Sequence, residues 1–141
     1  MHSSRNGKSH LPGNANDYAA MINASLSLYQ ATDNDAYIQY AKLWVEILFA
    51  EFSDGSGGFY LTSPKVKDLP FHATSSHDDA NPSPASHLLE GMIRLNNYAP
   101  DLNLDTAIAE LISSQTLEAK KRRFGMAGFM NALHEWHTRS E

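Results

Sequence analysis

The densest set of side chains able to do chemistry is His72, His77, Asp78 and Asp79, in a proline-punctuated run between residues 63 and 82. Histidine changes charge near neutral pH, and a carboxylate beside it can act as a general base or accept hydrogen bonds from hydroxyl groups of a ligand. On that reading Asp78 and His77 are the candidate catalytic residues, with Asp79, His72, Phe59 and Tyr60 as ligand-binding candidates. If Asp78 and Asp79 are both partly buried, each raises the other's pKa. The competing role for Asp78, and the one we favour, is mechanical: aspartate in a turn accepts backbone N–H bonds and braces the loop. The four residues match no zinc-ligand spacing. No metal or other cofactor is therefore expected.

Three further patterns carry less. His134-Glu135-Trp136-His137 resembles a zinc-protease helix, but its histidines are spaced i and i+3, whereas that chemistry needs i and i+4 on one face. Gly55, Gly57 and Gly58 form a turn and not a phosphate loop, since no Lys-Ser/Thr pair or helix start follows them. Tyr37, Tyr40 and Trp44 recur at helical spacing, which assigns them to a core where each buries a large area. Phe59 and Tyr60 follow the glycine turn and stay open between core and ligand contact.

The elements that must position these residues are helical. Asn14 or Asn16 caps a helix that runs to about Ala31, with Tyr18, Met21, Ile22, Leu28 and Tyr29 at helical spacing. Asp33-Asn34-Asp35 turns the chain into a second helix, Ala36 to about Phe52, whose apolar arc of roughly 200° implies neighbours on more than one side. After the glycine turn, Phe59-Tyr60-Leu61-Thr62 reads as strand-like, so a short β-hairpin is expected near residues 57–62. A long loop over 63–82 follows, and long loops in compact domains are often functional. Ser83 and Pro84 open a third helix to Tyr98, buried through Leu88, Leu89, Met92, Ile93 and Leu95. Two more helices span roughly Asp105 to Ala119 and Gly125 to His137. Residues 1–14 read as an irregular leader, and 15–141 as one domain.

Composition bounds the function. The chain has 141 residues, 42% of them hydrophobic, enough for one folded domain with one core. A net charge of −5 and a single short basic run, Lys120-Lys121-Arg122-Arg123, argue against nucleic acid as a partner. With no cysteine there is no disulfide or thiolate chemistry. No apolar stretch approaches a membrane span, and the first residues lack a secretory apolar segment, so a cytoplasmic protein without a membrane partner is expected.

The residues also carry a family resemblance. Asp17-Tyr18-Ala19, Leu28-Tyr29-Gln30-Ala31-Thr32, Asp54 with Gly57-Gly58-Phe59-Tyr60-Leu61-Thr62, and His77-Asp78-Asp79-Ala80-Asn81-Pro82-Ser83 occur in that order. From about Arg5 to Trp136 the chain resembles the C-terminal helical region of the spermatogenesis-associated, thioredoxin-domain-containing family. That region is similar to the toroids of N-acylglucosamine 2-epimerases and six-hairpin glycosidases. The resemblance implies an all-α fold in which helical hairpins form part of an (α/α)6 toroid. The family's thioredoxin-like domain with its Cys-x-x-Cys motif, and the first hairpins, have no counterpart here, and the chain departs from the family pattern at Ser53, Pro84 and Ala85.

Two functions follow as expectations. The first is a non-catalytic interaction or assembly module, expected to self-associate, most simply as a two-fold dimer covering the apolar faces an incomplete toroid leaves open. The alternative is a carbohydrate-active protein, epimerase- or hydrolase-like, with a sugar ligand at Asp78.

Overall fold

The computed structural model describes residues 3–6, 8–10, 12–67, 69–74, 77–78 and 81–138. Helix α1, Ala15–Thr32, begins where the sequence supplies a reciprocal cap: Asn14 Oδ1 accepts from the Asp17 amide at 3.0 Å, and Asp17 Oδ2 accepts from the Asn14 amide at 2.9 Å. Two orphan donors of the first turn are thereby satisfied. It ends at Asp33, which takes a left-handed conformation and donates its N–H to Tyr29 O. Asn34 Oδ1 then accepts from the Ala36 amide and starts α2, Ala36–Phe52.

Helix α3, Pro84–Tyr98, carries the core. Ser83 caps it, Pro84 occupies its first turn, and Leu88, Leu89, Met92, Ile93 and Leu95 are all fully buried. It packs against every other α-helix: α1 and α2 on one side, α4 (Asp105–Lys121) and α5 (Ala127–Thr138) on the other. One-turn 3-10 segments, Pro100–Leu102 and Arg123–Met126, make the corners before α4 and α5. The α1/α3 seam is also polar. Arg94 donates to Asn23 Oδ1 at 3.0 Å and to Ser27 Oγ and Gln30 Oε1 at 3.2 Å, while Asn23 Nδ2 reaches His87 O at 2.7 Å.

The mainly helical class is as expected, with three differences of detail. The run Phe59–Thr62 forms no continuous two-stranded hairpin: it contributes two isolated bridges, Ser53↔Phe59 across the glycine turn and Tyr60↔Thr74 across the long loop, so its pairing is split between two partners. The leader contains short antiparallel pairing, Ser3–Arg5 with Lys8–His10, around Asn6 at positive φ. The buried stripe of α2 is Ile38, Ala41, Val45, Leu48 and Phe52, so Tyr40, expected in the core, is 51% exposed. The arc read from the sequence is wider than the face that α1 and α3 cover.

At Gly91 of α3 a Cβ would sit 2.7 Å from Ile22 Cγ2 of α1. The Ile22 side chain packs directly on the α3 backbone here because Gly91 has no side chain. Gly91→Val should therefore force α1 and α3 apart and lower stability by about 1–3 kcal/mol, read from the midpoint of a urea titration.

Candidate functional site

Asp78 is the most heavily engaged side chain of the long loop. Its Oδ1 accepts from the Ser83 amide at 2.8 Å and the Ser86 hydroxyl at 2.7 Å, and its Oδ2 accepts from the Gly128 amide at 2.7 Å. Its own amide donates to Gly125 O at 2.8 Å. Ser83 caps α3 and Gly128 lies in the first turn of α5, so one carboxylate sits at two helix starts, where unpaired N–H groups and the helix dipoles favour a negative charge. Burial pushes this carboxyl up, but the bonds from Ser83, Ser86 and Gly128 outweigh it and hold Asp78 below the usual aspartate value. The upward shift expected from a neighbouring carboxylate is not what Asp78 has. A carboxylate that is held ionised, with its oxygens already bonded, is a poor proton acceptor at neutral pH.

The other candidates are dispersed. His77 is exposed, its ring lying over Gly125. His72 stands edge-on to Tyr60 with ring centroids 5.9 Å apart. Phe59 is buried and meets Phe49 edge-on at 5.2 Å, so of the two aromatics left open it belongs to the core. Asp79 lies outside the described residues. Among the described residues no three His, Asp or Glu are placed to hold a metal ion.

A second aspartate, not singled out from the sequence as a site residue, organises the glycine turn. Asp54 Oδ1 accepts from the Ser56 amide and hydroxyl, both at 2.8 Å, and from the Gly58 amide at 2.9 Å. Burial raises the Asp54 carboxyl and these bonds lower it further, leaving it below the ordinary value. Gly57, at φ +86°, is required here: a Cβ would lie 2.8 Å from Glu110 O. Ser114 Oγ donates to Gly57 O at 3.0 Å and ties the turn to α4.

Between this turn and α4 lies a polar cleft of about 220 Å³, walled by Asp54, Ser56 and Thr74 on the loop side and by Ser114, Gln115 and Glu118 on α4, with Phe59 in its lining. Asp78 is not in that wall. The carboxylates of this cleft are Asp54 and Glu118. The local signal for Asp54 was readable, since Asp-x-Ser before glycines is turn chemistry. The α4 wall lies about sixty positions further on and was not.

Two apolar grooves flank the array. One, about 260 Å³, runs between α1 and α2 and is lined by Met21, Leu28, Tyr37, Tyr40 and Trp44. The other, about 270 Å³, runs between α4 and α5 and is lined by Ala119, Lys120, Phe129, Met130 and Leu133. Large apolar side chains stand open beside both: Leu28 is 45% exposed, Leu117 62%, and Phe124 fully exposed. No helix among the described residues is long and apolar enough to cross a membrane.

No protein-family model matches the chain, and no curated protein matches its sequence.

Replacing Asp78 should expose its bracing role. Asp78→Asn keeps the shape but loses the charge and leaves donors imperfectly paired, at a cost of about 1–3 kcal/mol at pH 7. Because the folded-state pKa is depressed, the wild-type stabilisation is present above the unfolded value near 3.8 and is lost as pH falls through the lower folded value. Urea midpoints between pH 7 and pH 2 should therefore converge for wild type and Asp78→Asn at the acid end.

Proposed function

We propose that this chain is an assembly module: a set of helical hairpins, akin to part of an (α/α) toroid, that binds further copies of itself through apolar helix faces and is not a self-contained catalyst. The observation that carries this reading is the pair of apolar grooves, one on each side of α3, with Leu28, Tyr40, Leu117 and Phe124 open to water. Monomeric proteins in water rarely leave contiguous apolar patches above a few hundred Å² without a use for them. The commitment of Asp78 to two helix starts supports the same reading, because it occupies the group that would otherwise lead the chemistry. The cysteine-free composition suits work in the cytoplasm.

The polar cleft supports a second reading, a sugar-binding protein, with Asp54 and Glu118 as the acceptors for ligand hydroxyls in place of Asp78. Polar groups converging on a small concave surface are what orient a ligand of that kind.

Sedimentation equilibrium across a wide protein concentration range tests the assembly reading. We expect species heavier than 15.6 kDa whose share grows with concentration; one species at 15.6 kDa throughout would defeat it. For the second reading, mono- and disaccharides titrated at millimolar levels should shift the backbone amide signals of Gly58, Ser114 and Gln115, and the Glu118→Ala variant should not respond. An absence of shifts in the wild type would remove sugar binding.

A further inference from the structure

The exposed charges around the two grooves differ in sign, although the α1/α2 lining itself is uncharged and the α4/α5 lining holds only Lys120. No Lys or Arg occurs between Lys8 and Lys42, and the turn at the end of the α1/α2 groove presents Asp33 and Asp35, both exposed. The α4/α5 groove is bordered instead by Lys120, Lys121 and Arg122, all exposed, in a chain whose net charge is −5. Glu118 offsets that cluster only in part, through exposed contacts of 3.5 Å to Lys121 and 3.6 Å to Arg122. Exposed pairs of this kind are weak. The shapes differ as well. Phe124, on the 3-10 turn between α4 and α5, is a fully exposed ring that none of the described residues covers. The α1/α2 groove is a concave aromatic surface, walled by Tyr37, Tyr40 and Trp44, with room for such a ring.

Resting on the assembly reading, we propose that copies of this chain join head to tail: Phe124 of one copy enters the α1/α2 groove of the next, and Lys120, Lys121 and Arg122 face Asp33 and Asp35 across the contact. Pairing either face with itself would set like charges against each other, which is costly at an interface. Pairing the two different faces removes that repulsion and fits the projecting ring to the concave surface. Binding energy at an interface concentrates in a few side chains that fill well-packed, desolvated pockets, as Phe124 would here. The contact is heterologous, so each copy keeps one face of each kind, and assembly continues into an open chain or a closed ring and does not stop at a two-fold dimer.

Two single variants of the full chain decide this. Phe124→Ser removes the ring, and Leu28→Arg blocks the groove with a cation at a site open to solvent near the C-terminal end of α1, where the helix dipole suits a positive charge. Tyr40→Lys, also at an open position, serves if Leu28→Arg loses its helical circular dichroism. In sedimentation velocity the wild type should form species beyond the dimer, and each variant alone should self-associate about tenfold more weakly or worse. An equimolar mixture of the two should restore association but stop at a dimer, because the groove of Phe124→Ser and the ring of Leu28→Arg are intact. Raising salt to about 1 M, where charges are screened beyond about 3 Å, should weaken the wild-type assembly. If the wild type associates but the mixture stays as dissociated as either variant, the contact is not head to tail and the assembly reading stands without it. If the wild type stays a single 15.6 kDa species, the assembly reading and this inference both fall.

Discussion

The arrangement hangs on a carboxylate placed between two helix starts. Asp78 lies in the stretch that connects the α1/α2 half of the chain to the rest, and its oxygens reach Ser83 and Ser86 at the head of α3 and Gly128, fifty positions away, at the head of α5. The Ser83 and Gly128 amides would otherwise be orphan donors at helix starts, and Ser86 adds its hydroxyl. Satisfying them with one ionised group solves two capping problems at once and fixes the distance between the two helices. The Asp78 amide is itself spent on Gly125 O, so backbone and side chain of a single residue hold the same corner.

Asp54 repeats the device over a shorter range. Its bonds to Ser56 and Gly58 close a turn of local sequence, and Ser114 ties that turn to α4. The two aspartates thus divide the work. Asp54 shapes one wall of the polar cleft, while Asp78 sets where α5 lies on α3. In both, burial and hydrogen bonding oppose each other and hydrogen bonding prevails, which leaves a permanent negative charge in a structural position. That balance favours scaffolding over proton transfer.

The open apolar faces follow from how the helices share α3. Its large side chains are buried by neighbours on both sides, so the demand of that helix is met within the chain. The other helices are covered over a narrower part of their surface. In α2, Ile38, Ala41, Val45, Leu48 and Phe52 are covered, whereas Tyr40 and Leu43 look outward; in α4, Ile108 and Leu111 are covered and Leu117 is not. Burying large apolar side chains contributes roughly 1.5–3 kcal/mol each. Faces that withhold that contribution from the isolated chain can return it on association.

The amino-acid sequence by itself determined the helices, because capping and periodicity are local physics. Asn14 with Asp17, the Asp33-Asn34-Asp35 turn, and Ser83 with Pro84 mark element boundaries within a few residues, and α2 spans Ala36–Phe52 as read. It also showed Asp78 as a residue with work to do, and turn chemistry named bracing as one form of that work. Only the tertiary structure decided what Asp78 braces, since Gly128 becomes its partner when α5 folds back onto α3. The same holds for the aromatics. Tyr40 and Phe59 are both aromatic, yet one is half open and the other buried, because burial depends on which face a neighbouring element covers, and that neighbour is set by contacts far along the chain.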